Sequence, residues 1–499
     1  MSKVISYHTF IFPFSIEEKD IEKKLEKYNW KKETFKKEGI LDDEIPNYNE
    51  YMYFYENVRK FLYGNSRDDR TSIYYEYSNN DLGDYIIKKS DENEKIYKLK
   101  IKSICLRVIQ GEIGILSFHL ENNKYINFEE ILEINQYGRR VYPPYYTGKG
   151  FELPEDLAKE IEITGLGIKT EFNKMKNNLE KGKELDFIKK IIGENIEIKP
   201  TLDDRMFVLC WYVTPLAKKI GREIDKKEQE YINEWYKFVF IDTKNSTCQN
   251  KKIEKNLIEK HTYKRWSNYG TLYGISRYSF VCLLSSNIKF LTNHMKTMYY
   301  QMLVLVFVQR ISILNFKNKI SDLLSMEKTR LDEVENLYQR YLEFINKICI
   351  REVTAQEQGI ELYNKLWEVM GIEKQSKELK TEIEELFNLS RFKLERKNQK
   401  EQDEINNKLN IITTIGGTLA ITGTLIALVD LKGEKASNSA LFFCIILTII
   451  LGCIFYAAIR KYDFKKFKRE ICKSFKKNDF FKLIVLIILI LIIWVLIYP

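Results

Sequence analysis

Two short stretches concentrate arginine, tyrosine and glycine. Residues 134–144 read Ile-Asn-Gln-Tyr-Gly-Arg-Arg-Val-Tyr-Pro-Pro, and residues 265–280 read Arg-Trp-Ser-Asn-Tyr-Gly-Thr-Leu-Tyr-Gly-Ile-Ser-Arg-Tyr-Ser-Phe. A guanidinium pairs bidentately with phosphate and stacks on adenine, and a tyrosine adds a flat face with a hydroxyl. Arg139, Arg140, Arg265 and Arg277, with Tyr142, Tyr273 and Tyr278, therefore suit an anionic nucleotide. Glycines beside them permit close backbone approach. The competing reading is structural: the same arginines can bridge subunits or cap helices, and tyrosine is common throughout a chain that holds 32 of them.

Enzymatic chemistry finds less support. There is no GxxxxGK[ST] phosphate loop, no HExxH and no GxSxG elbow. His8, His119, His261 and His294 are scattered without metal-ligand spacing. The expectation is a protein that is not an enzyme and holds no cofactor. The eight cysteines (residues 105, 210, 248, 282, 349, 444, 453 and 472) lack CxxC spacing, which points to reduced core thiols and a cytoplasmic compartment.

The elements that must position these residues divide sharply by composition. Up to about residue 408 charges recur in nearly every window of ten, and beyond it come three apolar runs, 409–429, 440–459 and 480–499. Each approaches the roughly 20 residues that cross a hydrocarbon core of about 30 Å. Residues 460–479 carry nine cations against three anions, a net +6 of the chain's +10. Short basic loops stay in the cytoplasm, so the N-terminal four hundred residues are expected there as well, with 430–438 and the C-terminus outside. Outside the membrane region the chain is nearly neutral, which argues against direct nucleic-acid binding. Met1 to Phe14 reads as a strand and not as a signal peptide.

Before residue 290 the pattern is mixed. Strands are expected at 72–77, 85–89, 97–110, 114–120, 206–213 and 238–241, all rich in β-branched and aromatic residues, and helices at 16–28 and 155–185. Ile104, Leu106 and Val108 share a face with Leu116, Phe118 and Leu120 across a hairpin turn at Gln110-Gly111-Glu112. From 293 to 408 apolar residues recur at three and four with no proline, the pattern of helices. The run Leu303 to Val308 is too short to span a bilayer and reads as the buried centre of one of them. Further helices are expected at 328–350 and from Thr354, then a break at Gly371, then a rod from Lys374 that continues into the first apolar run. It would cover some 50 residues, about 75 Å at 1.5 Å per residue. Its polar middle, 395–404, suits either a solvated surface or a water-filled axis between copies.

The first apolar run is unlike the others. Asn410, Thr414, Thr418 and Thr422 lie along one drifting helix face, and Gly416, Gly417 and Gly423 are small. Such residues either let helices pack closely or line a narrow aqueous path.

The layout of 292–459, a long helix entering a first membrane helix, a short outer loop and a second helix, resembles the CorA family of divalent-cation channels. Within it, Arg351-Glu352-Val353-Thr354, Gln356-Glu357-Gln358-Gly359 and Ile360-Glu361-Leu362-Tyr363, together with the two arginine-rich stretches, resemble CorA-like proteins that accompany type III CRISPR systems. The resemblance implies a homopentamer in the plasma (inner) membrane, a cytoplasmic funnel, a pore lined by Asn410, Thr414, Thr418 and Thr422, and gating by a nucleotide second messenger, a conjugate of S-adenosylmethionine and AMP. Two features depart from the family. The Gly-Met-Asn motif is replaced by Ala427-Leu428-Val429-Asp430, which puts a divalent permeant ion in question, and the third apolar run is extra.

The expected architecture is thus an α+β / α/β cytoplasmic domain (1–291) that senses a ligand, a helical stalk or funnel (292–408), two transmembrane helices (409–459), a basic cytoplasmic loop (460–479) and a third transmembrane helix (480–499). A ligand-gated membrane effector is the leading function. A constitutive divalent transporter and a membrane-tethered scaffold without a pore are the alternatives.

Overall fold

Strands buried on both faces read as near-continuous apolar runs, and β1 (Ser6–Ile16) is one: Phe10, Phe12 and Phe14 enter one core while Tyr7 and Ile11 enter another. The computed structural model describes residues 4–16, 18, 20–33, 45–64, 71–79, 81–89, 95–141, 158–172, 186–203, 205–223, 229–243, 246–325, 331–430, 446, 449 and 450. Contacts divide the chain into two units, Met1–Phe387 and Asn388–Pro499.

The first unit is built on a 13-stranded mixed sheet. After β1 come β2 (Trp30–Glu33), β3 (Ser72–Tyr77), β4 (Asp84–Lys89), β5 (Ile96–Ile109), β6 (Ile113–Asn122), β7 (Ala158–Ile163), β8 (Ile168–Glu171), β9 (Ile198–Pro200), β10 (Phe207–Val213), β11 (Thr262–Tyr263), β12 (Thr271–Ile275) and β13 (Ser279–Leu284). The main path runs β11-β12-β13-β10-β1-β6-β5-β4-β7-β8. Among the described residues only the β10–β13 ladder is parallel. One face is covered by α1 (Phe128–Gly138) and α2 (Gln229–Phe240), the other by α3 (Met298–Ser325), α4 (Leu331–Glu343) and α5 (Glu357–Met370). Each fully buried Phe or Leu in these cores stabilises by roughly 1.5–3 kcal/mol.

The β5–β6 hairpin has the expected register, with Ile104 opposite Phe118 and Leu106 opposite Leu116. Its turn places Gln110 at φ 50° and Gly111 at φ 71°, left-handed values that glycine adopts without steric cost. Gly114, paired with Phe14, is required for another reason: a Cβ there would sit 2.2 Å from the Phe14 ring.

Three sequence expectations are corrected. Residues 238–241 do not form a strand; they are the end and C-terminal flank of α2, where Ile232, Trp235, Tyr236 and Val239 recur at helical spacing and are buried together. Residues 158–171 do not form an α-helix; 158–163 and 168–171 pair as β7 and β8 around a single 3-10 turn at Thr164–Leu166, with Ile161 and Ile163 alternating inward and Gly167 at φ 63°. The rest of that expected helix lies outside the described residues. Among the described residues between 16 and 28 only Ile21–Leu25 is helical, because β1 continues through Ile16.

Among the described residues one helical stretch, Lys289–Ser325, is long and apolar enough to cross a membrane, and its apolar window is 83% buried inside the protein. Leu303 to Val308 lie at the centre of that core. Gly371, at φ 70°, ends α5, and α6 (Ile372–Asp430) follows at once as a continuous helix of 59 residues. Its residues 372–387 belong to the first unit and the rest to the second. Through 391–410 it is exposed and laced by i,i+4 pairs such as Arg391–Glu395 and Lys397–Glu401, each worth a few tenths of a kcal/mol. The second and third apolar runs lie outside the described residues, save 446, 449 and 450 in the second.

Two histidines are sealed into the sheet. His8 Nδ1 lies 2.7 Å from Asn135 Oδ1, and the His119 ring packs edge-on to Tyr300 at 5.0 Å. Burial lowers both pKa values to about 4. The unfolded chain takes up these protons near pH 6.5 and the folded chain only near 4, so stability is full above 6.5 and falls as the pH drops through that window. Each histidine accounts for a loss on the order of 3 kcal/mol. We expect the melting temperature to decline between pH 6.5 and 4, and His119→Gln to flatten the decline. A decline of equal slope in the variant would assign the effect to other groups.

Candidate anion-binding site

The turn between β12 and β13 is shaped by two serines. Ser276 Oγ accepts from the amides of Tyr278 (3.2 Å) and Ser279 (3.1 Å) and donates to Val239 O at the end of α2 (2.9 Å). The Ser276 amide donates to Ser279 O. Arg277 and Tyr278 are thereby held at the tip, and Val208 N donates to Tyr278 O at 3.0 Å, tying the tip to β10. From the other side α1, started by an Asn127/Glu130 capping box, delivers Arg139, whose carbonyl accepts from Met206 N at 2.8 Å. The guanidiniums of Arg139 and Arg205 approach the Tyr278 ring at 5.7 and 5.6 Å, within cation–π range.

Next to Tyr278 lies a cleft of about 280 Å³, near the lower end of the ~300–1,000 Å³ common for small-molecule sites. Arg205, Arg277 and Arg310 line it, with Asp203 as the one carboxylate among the described lining residues; Phe307 and Met206 supply apolar wall. Asp203 pairs with Arg205 at 3.5 Å. Arg310 comes from α3, and among the described residues nothing accepts a hydrogen bond from its buried Nε. Burial, and after it the like charge of Arg277, lowers the Arg310 pKa, while Asp203 opposes the shift. A basic group desolvated beside another cation gains stability when an anion enters. The arrangement can hold a phosphate between two or three guanidiniums, with Tyr278 as a stacking face.

Of the residues singled out from sequence, Arg277 and Tyr278 line this cleft, and Arg139 lies against the Tyr278 ring without lining it. Arg140 is buried against the Phe172 ring at 4.1 Å and donates to Ala158 O. Arg265 pairs with Glu357 and Glu361 of α5, both at 2.9 Å. Tyr273 is buried against Tyr299 and accepts from Gln358 Nε2 at 3.4 Å. Tyr142 lies outside the described residues. Arg205 and Arg310 were not singled out. Arg310 carried a signal nonetheless: an arginine closing the apolar run 303–308 on a core helix requires a counter-charge or a ligand.

On α6, Thr414 Oγ1 donates to Asn410 O (2.6 Å) and Thr418 Oγ1 to Ile415 O (2.8 Å), so these hydroxyls are satisfied within their own helix. The Thr422 side chain is outside the description. A Cβ on Gly416, Gly417 or Gly423 would meet open space. No group of three or more metal-ligating side chains occurs among the described residues. Searches of family models, curated proteins and solved structures return no match to this chain.

Proposed function

We propose that this chain is a membrane-anchored receptor in which the arginine cleft takes an anionic nucleotide and α6 conveys that event to the bilayer. The observation that carries the reading is the convergence of Arg205, Arg277 and Arg310 on one cleft beside Tyr278, with one carboxylate among the described lining residues. The anchoring is supported by the three apolar runs and by the helix that enters the first of them unbroken. There Ile412 and Leu419 are 66% and 67% exposed, an exposure that lipid would cover.

In this reading the CorA-like layout supplies the rest. The protein is a homopentamer in the plasma membrane with its N-terminal domain in the cytoplasm. It has no catalytic site, the ligand is an adenine nucleotide of the S-adenosylmethionine–AMP type, and ligand opens a path lined by Asn410, Thr414, Thr418 and Thr422 as part of antiviral defence. A constitutive divalent transporter is the second reading, and the absent Gly-Met-Asn counts against it.

Liposomes loaded with separate potassium- and magnesium-sensitive dyes and carrying the full-length protein are expected to leak only when the conjugate is added on the face bearing the N-terminal domain. Magnesium-selective flux without nucleotide would replace this reading with the transporter. No flux under any condition would leave a tethered binding protein.

A further inference from the structure

We propose that the cleft and the α5–α6 joint share two guanidiniums, so that an anion in the cleft loosens the joint. The inference rests on the reading of the cleft as a nucleotide receptor and specifies how that receptor is coupled to α6. Arg277 Nε donates to Val369 O at 3.4 Å, and Arg310 Nη1 reaches Met370 Sδ at 3.3 Å. Val369 and Met370 are the last residues of α5, and Gly371 follows at φ 70° before α6 begins at Ile372. A Cβ on Gly371 would sit 3.8 Å from Arg277 Nη2. Both arginines that bind the helix end also line the cleft.

The terminal carbonyls of a helix lack intrahelical donors and carry partial negative charge, so cations there stabilise the last turn. The contacts made here are weak ones. A 3.4 Å bond to a neutral carbonyl and a bond to a thioether are both inferior to a charge-assisted bond to phosphate at about 2.7–2.9 Å, which Arg can make in pairs. Phosphate therefore draws the two guanidiniums inward and neutralises them, and Val369 O loses its donor. A separate clamp bridges the joint: Arg351 stacks on Trp367 in the last turn of α5 at 4.5 Å and pairs with Glu373 at the start of α6 at 3.8 Å. Trp367 and Glu373 stay bridged by Arg351 while Val369 and Met370 lose their guanidiniums, so the change is concentrated between the bridged residues, at Gly371, the residue best able to alter its backbone angles.

The test is amide hydrogen exchange on the full-length protein in detergent, read in peptides covering 366–376 and, separately, 205–208 and 277–280, with AMP, the S-adenosylmethionine–AMP conjugate and inorganic phosphate as probes. The nucleotide is expected to slow exchange in the cleft peptides and to speed it at the joint by about fivefold, the scale of one net hydrogen bond. Arg277→Ala is expected to speed the joint without any probe and to abolish the further effect of nucleotide. Arg277→Lys, which keeps the charge without the fork, is expected to fall between. Protection of the cleft with an unchanged joint, in the wild type and in Arg277→Ala, would overturn the coupling and leave the receptor intact. Cleft peptides indifferent to all three probes would overturn the receptor reading and the coupling with it. A response to phosphate equal to that of the nucleotides would keep the coupling and assign recognition to the anion alone.

Discussion

Arg277→Ala and Arg310→Met are each expected to weaken binding of the adenine nucleotide by about 10–100-fold. The estimate follows from hydrogen bonds to charged groups, about 1.5–3 kcal/mol each, and from 1.4 kcal/mol per factor of ten. Methionine at 310 keeps an unbranched stem in the cleft wall that Phe307 shares while removing the charge, and an unchanged melting temperature is expected to show that the fold is retained. Arg265→Ala is the control. Its guanidinium is committed to Glu357 and Glu361 on α5, and affinity should stay within about twofold. Isothermal titration at low and moderate salt reads all three, and wild-type affinity should fall with salt as phosphate contacts do. Unchanged affinity in both cleft variants, or a large loss in Arg265→Ala, would move the site elsewhere.

Arg107→Met is expected to produce the largest loss of stability of any single replacement considered. The Arg107 guanidinium is buried where β5 meets α3, donating to Leu62 O at 2.8 Å, Ser72 Oγ at 3.1 Å and Gln301 Oε1 at 3.0 Å, and lying 5.3 Å from the Tyr74 ring centre. It also faces Glu50, whose pKa is raised by burial and held back in part by Tyr63, Gln301 and Arg107. Methionine fills much of the volume but strands those acceptors. Breaking a buried charged network in this way costs about 3–5 kcal/mol, a fall in melting temperature of about 4–6 °C for a unit of this size. Arg391→Ala, which removes one exposed pair on α6, should change it by less than about 1 °C. A similar small change for Arg107→Met would show that the sheet and α3 are not joined through this network.

Local pattern made much of the fold readable. The strands at 72–77, 96–109 and 113–122 carry alternating or continuous apolar residues, the last two joined by a glycine turn, and the helices after 298 carry three-and-four repeats, α5 being ended by glycine at 371. The failures have one physical source: the short-range signal was ambiguous and tertiary burial decided. Phe238, Val239 and Phe240 are good strand formers, yet their helical spacing with Ile232 and Trp235 buries one stripe in the core. Residues 158–171 are charged enough to suit a surface helix, yet Ile161 and Ile163 alternate toward the sheet core.

The site was half legible. Residue chemistry singled out Arg139, Arg277 and Tyr278, but only the folded sheet brings the β12–β13 tip, the start of β10 and α3 together, and so adds Arg205 and Arg310. Arginine count alone could not separate Arg277, which faces the cleft, from Arg265, whose charge is spent on α5. The glutamates that claim Arg265 lie about ninety residues further along the chain.

The most direct measurement is a structure of the full-length protein in detergent or nanodiscs, determined with and without the S-adenosylmethionine–AMP conjugate. The account predicts ligand density between Arg205, Arg277 and Arg310 with a ring against Tyr278, and a guanidinium of Arg277 turned from Val369 toward the phosphate. Ligand density at any other place, with Arg277 still on Val369 O and the cleft unchanged, would contradict it.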